Sequence, residues 1–383
     1  MMYTTNRVLG TGAALAALSF LCGAALANAE DIVVGQCAAL TGPASALGLG
    51  MQAGLKAALE EANAKGGVRG RKIKLLSADD EYEPEKCVDC TTNMIENSHV
   101  SILAGYVGTP TAKVAVPIVQ ESKTPLIGIF SGAMLLREPV QRYVLNVRAS
   151  YDDETEELVK YLSDKLGNRK IAVLYQNDSF GLAGLGGTER ALGRRGLKLA
   201  AKGAFERNTI AVKSGLSDIL SGNPEAVVMV GPYKPVAEFV RQARTAGLKI
   251  ALAAISFVGT ENLIHELGAA SDGIVISQVV PSPTSDLPVA KAYRQALSVS
   301  SPAEQPAYTS FEGYITGRLL VAGLEKADSL DDREKLVDAI ESLTEFDLGG
   351  MTLSYSGTKH QGSTAVFMTR VSGGVARSLN SSK

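Results

Sequence analysis

The segment Gly105-Tyr106-Val107-Gly108-Thr109-Pro110-Thr111 sets a glycine-rich turn and hydroxyl side chains directly after a short apolar run, Val100 to Ala104. That run reads as a buried parallel strand. Pro110 to Val114 reads as a helix start. Thr109 suits the N-cap and Pro110 the first helical position, where its missing N–H costs nothing. The unpaired first-turn N–H groups and the Thr109 hydroxyl, at the carboxyl end of a strand, would form a small anion site. A ligand carboxylate is the fitting guest. The same residues also describe a plain capped turn, so the surroundings must decide.

Other residues with chemical potential are sparse. Three histidines, His99, His265 and His360, lie far apart, and neither HExxH nor GxSxG occurs. His265 beside Glu266 reads as a helix surface pair. No catalyst, metal site or cofactor is expected. Gly48-x-Gly50-x-x-Ala53 imitates a dinucleotide fingerprint, but the loop before it is about ten residues long, where that motif needs a tight turn. Cys87-Val88-Asp89-Cys90 has redox or metal spacing inside a helical pattern, with no second Cys or His pair. A structural role, a local disulfide and zinc remain open, in that order.

The first 29 residues read as a signal peptide: Arg7 as a thin positive region, an apolar stretch from Val8 to Leu26, and Ala27-Asn28-Ala29 as the cleavage pattern. Cys22 follows Leu21 in a poor lipobox, which favours a soluble exported product cleaved near Ala29 over a lipoprotein or a retained anchor. No other stretch resembles an uninterrupted span of about 20 apolar residues. The mature chain of roughly 350 residues exceeds what one core usually serves, so two domains are expected. The 38 basic and 40 acidic residues nearly cancel, and no basic stripe points to nucleic acid or an anionic membrane.

Apolar runs alternate with helical patterns along the whole chain, which predicts an α/β fold with parallel sheets and right-handed crossovers. The first series has strands at 32–36, 72–77, 100–104, 125–130 and 143–147, with helices at 49–65, 84–96 and 110–121; Pro117 should kink the last of these. Acidic residues after Ser150 load the first turn of a helix reaching Leu166, with Leu158, Leu162 and Leu166 inward. A second series has strands at 170–175, 198–204, 225–230, 250–254 and 273–277. Its helices fall at 180–194, 213–221, 233–246 and 260–267. Pro281 to Pro288 breaks the rhythm. Helices at 287–298, 306–325 and 331–343 come next, and strands near 351–355 and 364–370 read as an antiparallel ending.

The ordered set of short motifs resembles the branched-chain amino-acid (Leu/Ile/Val-binding) family of type I periplasmic solute-binding proteins over roughly residues 31–370. It comprises Leu40-Thr41-Gly42-Pro43, Gly54-Leu55, Asn63 to Lys72, Asp79-Asp80, Gly105 with Thr109-Pro110-Thr111-Ala112, Tyr175 to Gly181, and Arg241-Gln242-Ala243-Arg244 with Gly247-Leu248. The resemblance implies two doubly wound lobes joined by three crossovers. They would span 30–147 plus 280–345 and 148–279 plus 346–377. It also implies a monomer that clamps a small solute between the lobes and hands it to the permease subunits of an ABC importer.

Carried over residue by residue, the resemblance places the ligand carboxylate on Gly108-Thr109 and on the loop Ser131-Gly132-Ala133. It places the ammonium on carbonyls of that second loop and on a lobe-two acid. Phe180 and Tyr233 would close over the ligand, with Leu47 in apolar contact. Tyr106 and Tyr151 are added because each lies beside a strand end facing the cleft. Tyr151 reads equally as a surface aromatic, and Phe180 as core. Two positions depart from the family. The acid's place falls at Ser256, and Ala133 stands where a hydroxyl is usual, so amides, urea-like solutes or simple carboxylates join amino acids as expected ligands. A ligand-sensing module of the same fold is the alternative, with an exported enzyme a distant third.

Overall fold

The computed structural model describes residues 1–6, 30–98 and 100–379. The expected cleavage site near Ala29, Cys22 and His99 lie outside the described residues. Two sheets organise the chain. The first has strands β1 (Ile32–Ala38), β2 (Ile73–Asp79), β3 (Ile102–Ala104), β4 (Leu126–Ile127) and β5 (Val144–Leu145) in the order β2-β1-β3-β4-β5, all parallel. Helices α1 (Ser45–Ala64), α2 (Pro84–Glu96) and α3 (Thr109–Glu121) alternate with them. Pro117 lies within α3 without ending it.

The chain then passes to the second lobe through α4 (Tyr151–Lys160), whose N-cap Ser150 and Asp153 form a reciprocal capping box. A π-helical stretch, Tyr161–Lys165, extends α4. The wider turn alters the side-chain register. Leu158 and Leu162 stay buried, but Leu166, expected inward, is 44% exposed. The strands of this lobe are β6 (Ile171–Gln176), β7 (Lys202–Phe205), β8 (Ala226–Val230), β9 (Ala251–Ala254) and β10 (Val275–Gln278). Its helices are α5 (Ser179–Gly193), α6 (Lys213–Ser221), α7 (Tyr233–Thr245) and α8 (Thr260–Leu267).

After β10 the chain returns to the first lobe as α9 (Pro288–Ser300), α10 (Tyr308–Lys326), α11 (Arg333–Glu341) and a hairpin of β11 (Phe346–Asp347) and β12 (Thr352–Leu353). It ends in the second lobe as β13 (Phe367–Ser372) and β14 (Val375–Ser378). These two are antiparallel and complete the order β14-β13-β10-β9-β8-β6-β7. Leu348, Met351, Leu353 and Tyr355 pack in the first-lobe core. The hairpin's apolar face thus shares that core with residues of α9, α10 and α11.

Two packing details show what particular residues are for. Gly48 and Gly50 lie inside α1, not in a nucleotide loop. A Cβ on Gly48 would come within 1.8 Å of the Ala39 carbonyl, so this glycine serves close packing. Cys37 on β1 forms a disulfide with Cys90 on α2, with their Cα atoms 6.1 Å apart. Cys87 remains a buried free thiol. The disulfide thus crosses from helix to strand, and the CxxC spacing is neither a local disulfide nor a zinc pair.

Candidate ligand site between the lobes

The lobes meet along a continuous buried seam. One apolar cluster joins Ala38, Leu47, Met51, Tyr82, Val107 and Phe130 of the first lobe to the second-lobe core. Hydrogen bonds cross it as well, from Gln176 Nε2 to Tyr82 Oη (3.3 Å) and from Arg207 Nη2 to Glu83 Oε2 (2.8 Å).

At the seam, the turn after β3 differs by one residue from its expected form. Gly108 is the N-cap, with φ of 104°, and Thr109 begins the helix. A Cβ on Gly108 would lie 2.2 Å from the Tyr82 ring, so both the backbone conformation and the close approach call for glycine. Thr109 is freed from capping. Its Oγ1 pairs instead with Ser131 Oγ at 2.7 Å, joining the two loops expected to hold a carboxylate. The backbone N–H of Ala133 also donates to Ser131 Oγ (3.3 Å). Gly132 packs directly beneath Tyr151, whose N–H donates to the Gly132 carbonyl (2.7 Å).

The centre of the seam is Arg148, the largest fully buried side chain among the described residues. It leaves the end of β5 and lies over the Phe130 ring, 4.7 Å from its centroid, and 6.0 Å from that of Tyr151. Its Nη2 donates to Ser256 Oγ and lies 3.6 Å from Glu154 Oε1, while Nε is 3.5 Å from Glu312 Oε1. Nε and Nη1 make no hydrogen bond, nor does the Tyr151 hydroxyl. Glu154 accepts from the Ser256 N–H (2.8 Å), Ser256 Oγ (3.0 Å) and Ser277 Oγ (2.6 Å). A second buried cation, Arg137, donates to the carbonyls of Ala133 (3.0 Å), Ser131 (3.0 Å) and Arg148 (3.2 Å).

Burial sets the charge states here. It pushes the Glu312 carboxyl up to about 7, although Arg148 pulls the other way. Burial likewise holds Glu154 above its ordinary value against Arg148 and its hydrogen bonds. For Arg148 burial works downward, but Glu312 and Glu154 outweigh it and leave the guanidinium firmly charged. Burial and the nearby Arg148 bring Arg137 to about 10, still a cation at neutral pH. Burial raises the Tyr151 phenol to about 12, so it remains a donor.

Aromatic rings fill the rest of the seam. Phe257 is the hub, with ring centroids 4.4 Å from Phe180, 5.2 Å from Phe130 and 6.2 Å from Tyr82. Tyr151 and Phe180 are 5.5 Å apart. At the border, the Ala46 N–H reaches the Tyr233 hydroxyl (3.5 Å). Leu47 abuts Gly259 so closely that a Cβ there would sit 2.6 Å from its Cδ2.

Of the residues singled out from sequence, Leu47, Gly108, Thr109, Ser131, Gly132, Ala133, Tyr151, Phe180, Tyr233 and Ser256 gather along or beside this seam. Tyr106 does not. It packs in a separate first-lobe cluster with Cys37 and Cys87, and its hydroxyl pairs with Thr91 on α2 (3.1 Å). Tyr82, Phe130, Arg148, Glu154, Gln176, Phe257 and Glu312 were missed. Glu312 carried a signal: it falls on the face of α10 shared by Tyr308, Phe311, Ile315 and Leu319, where an acid is out of place. Ser256 indeed offers no charge; its N–H and Oγ donate to the buried carboxylate of Glu154 on α4.

Comparison with known proteins agrees with this architecture. The sequence profile of the family described as periplasmic binding protein matches residues 31–376. The Leu/Ile/Val-binding protein of Escherichia coli (strain K12) is 24% identical over 319 residues, covering 82% of this chain and 84% of the relative. Leu/Ile/Val-binding protein homolog 7 of Brucella suis biovar 1 is 31% identical over 247 residues, covering 62% of this chain and 61% of the relative. Among solved structures, a possible leucine/isoleucine/valine-binding protein from Rhodopirellula baltica SH 1 superposes with a TM-score of 0.89 at 38% identity, covering 92% of this chain and 97% of that one. Among the described residues no helix is long and apolar enough to cross a membrane.

Proposed function

The chain belongs to the periplasmic binding protein family, and from that premise we propose that it captures a small carboxylate-bearing solute between its lobes and delivers it to the permease subunits of an ABC importer. The observation that carries this reading is the pair of buried donors without a hydrogen-bond acceptor at the lobe junction, Arg148 Nη1 and Tyr151 Oη, beside the paired hydroxyls of Thr109 and Ser131. A buried N–H or O–H without an acceptor costs on the order of 1–3 kcal/mol. A solute carboxylate offers acceptors to all of them.

The aromatic rings supply the apolar wall for the solute's tail. Entry requires the lobes to part about the crossovers near 146–150, 280–285 and 355–366. Closure then lowers the free energy because only the closed state touches the solute from both sides. On this reading the chain is exported to the periplasm, cleaved near Ala29, and acts as a monomer.

The test is a thermal-shift screen of ligand-stripped mature protein against amino acids, amides, urea, and aliphatic and aromatic carboxylates. A ligand that binds only the folded state raises the melting temperature by mass action. The chain has no tryptophan, so an extrinsic dye is used. At least one small carboxylate is expected to raise the melting temperature. No shift with any solute would sink the reading.

A further inference from the structure

We propose that the solute is an apolar carboxylate that lacks an ammonium group, with Arg148 as its charge partner and Tyr151 as a second donor. The inference rests on the solute-capture reading above and narrows its substrate class.

An ammonium needs acceptors, and those beside Arg148 are already engaged by the protein. The Ser131 and Ala133 carbonyls each accept from Arg137 at 3.0 Å, and the Gly132 carbonyl accepts from the Tyr151 N–H at 2.7 Å. Both oxygens of Glu154 are taken by Ser256 and Ser277, with Arg148 Nη2 3.6 Å away. Glu312 faces Arg148 Nε at 3.5 Å. Asp80 Oδ1 accepts from the Tyr82 N–H; its Oδ2 makes no hydrogen bond, but the carboxyl sits beside the Cys87 thiol and burial raises it to about 7, which weakens it as a partner for an ammonium. Gln176 Oε1 is an acceptor without a partner, but it is neutral.

The donors tell the opposite story. Arg148 is fully buried, and its Nη1 carries N–H groups with no acceptor, while Nε faces Glu312; the Tyr151 hydroxyl likewise has no acceptor. Two guanidinium groups, Arg148 and Arg137, would repel an incoming ammonium in a medium where charges are poorly screened. A carboxylate instead gains charge-assisted hydrogen bonds from the guanidinium. Arg148 thus stands against Glu154 and Glu312 where a ligand's own cation would otherwise be required. The rings of Phe130, Phe180 and Phe257 around it suit an aliphatic or aromatic tail over a polar one.

The test uses matched pairs that differ only by the ammonium: 4-methylpentanoate against L-leucine, and 3-phenylpropanoate against L-phenylalanine. Each is titrated calorimetrically into ligand-stripped protein. In at least one pair the ammonium-free member is expected to bind at least about tenfold more tightly. Arg148→Met should lower that affinity by about tenfold or more, and Tyr151→Phe by a smaller factor. Circular dichroism and melting curves check that the variants fold, and Tyr151→Phe alone serves if Arg148→Met does not. An amino acid that binds as tightly as its ammonium-free analogue, or carboxylate binding unchanged in both variants, overturns the inference while leaving solute capture intact. Binding confined to amides or urea does the same. Failure of every solute in the wider screen overturns both readings.

Discussion

Arg148 and Glu154 stand six positions apart on either side of the turn that carries the chain from the first lobe to the second. Their charged groups are 3.6 Å apart, and both side chains are wholly buried. The pair couples the junction to the start of α4, and the remaining balance for Arg148 comes from the other lobe through Glu312. The Arg148 cation is therefore held from both lobes. Removing one partner of such a pair strands the other. Glu154→Gln is expected to destabilise the protein by about 3 kcal/mol in chemical denaturation, and Arg148→Met added to it to recover part of that loss. Full additivity of the two substitutions would argue against the coupling.

The hydroxyl pair of Thr109 and Ser131 should act on binding more than on folding. Thr109→Val is expected to weaken a carboxylate ligand by about 1 kcal/mol or more, with a smaller effect on the melting temperature of the free protein. Because the two hydroxyls share one hydrogen bond, the double substitution with Ser131→Ala should cost less than the sum of the single ones. Calorimetry of the four proteins measures this directly. Unchanged affinity in Thr109→Val would remove the loop from the site.

The Cys37–Cys90 disulfide closes a loop across 53 positions. Its loss through Cys90→Ser should cost about 2–4 kcal/mol, chiefly by freeing the unfolded chain. Denaturant titration with and without reductant checks this. The wild type should lose that stability on reduction, whereas Cys90→Ser should not respond. A wild type indifferent to reductant would contradict the assignment.

Glu312 links stability to pH in a defined direction. Its ordinary value is 4.5, and burial raises it to about 7 in the folded protein. Between those values the folded state binds the proton more strongly than the unfolded state. Its contribution is therefore fully present below about pH 4.5 and lost as pH rises through about 7. Buried Asp80 and Glu261, also raised to about 7, act in the same sense. Glu312→Gln should shrink the fall in melting temperature between pH 5 and pH 8 relative to wild type. An identical pH profile in the variant would refute the assignment.

Hydrophobic periodicity alone determined the two βα series, their parallel sheets and the placement of nearly every element. Each strand and helix declares locally which face it must bury. Local turn chemistry likewise marked the loops at Gly108-Thr109 and Ser131 to Ala133. The tertiary structure decided the rest. Cys90 chose Cys37 over its neighbour Cys87 because β1 and α2 pack together. Tyr106 turned into the first-lobe core because the strand-end geometry there brings Thr91 within reach. Arg148, Glu154 and Glu312 are far more telling together than apart. In the sequence each is one charge among 78 basic and acidic residues, and an acid-rich first turn has an adequate local explanation in the helix dipole. Their meaning depends on burial and on which carbonyls and carboxylates are already engaged. Those are properties of two lobes meeting, and no local pattern encodes them.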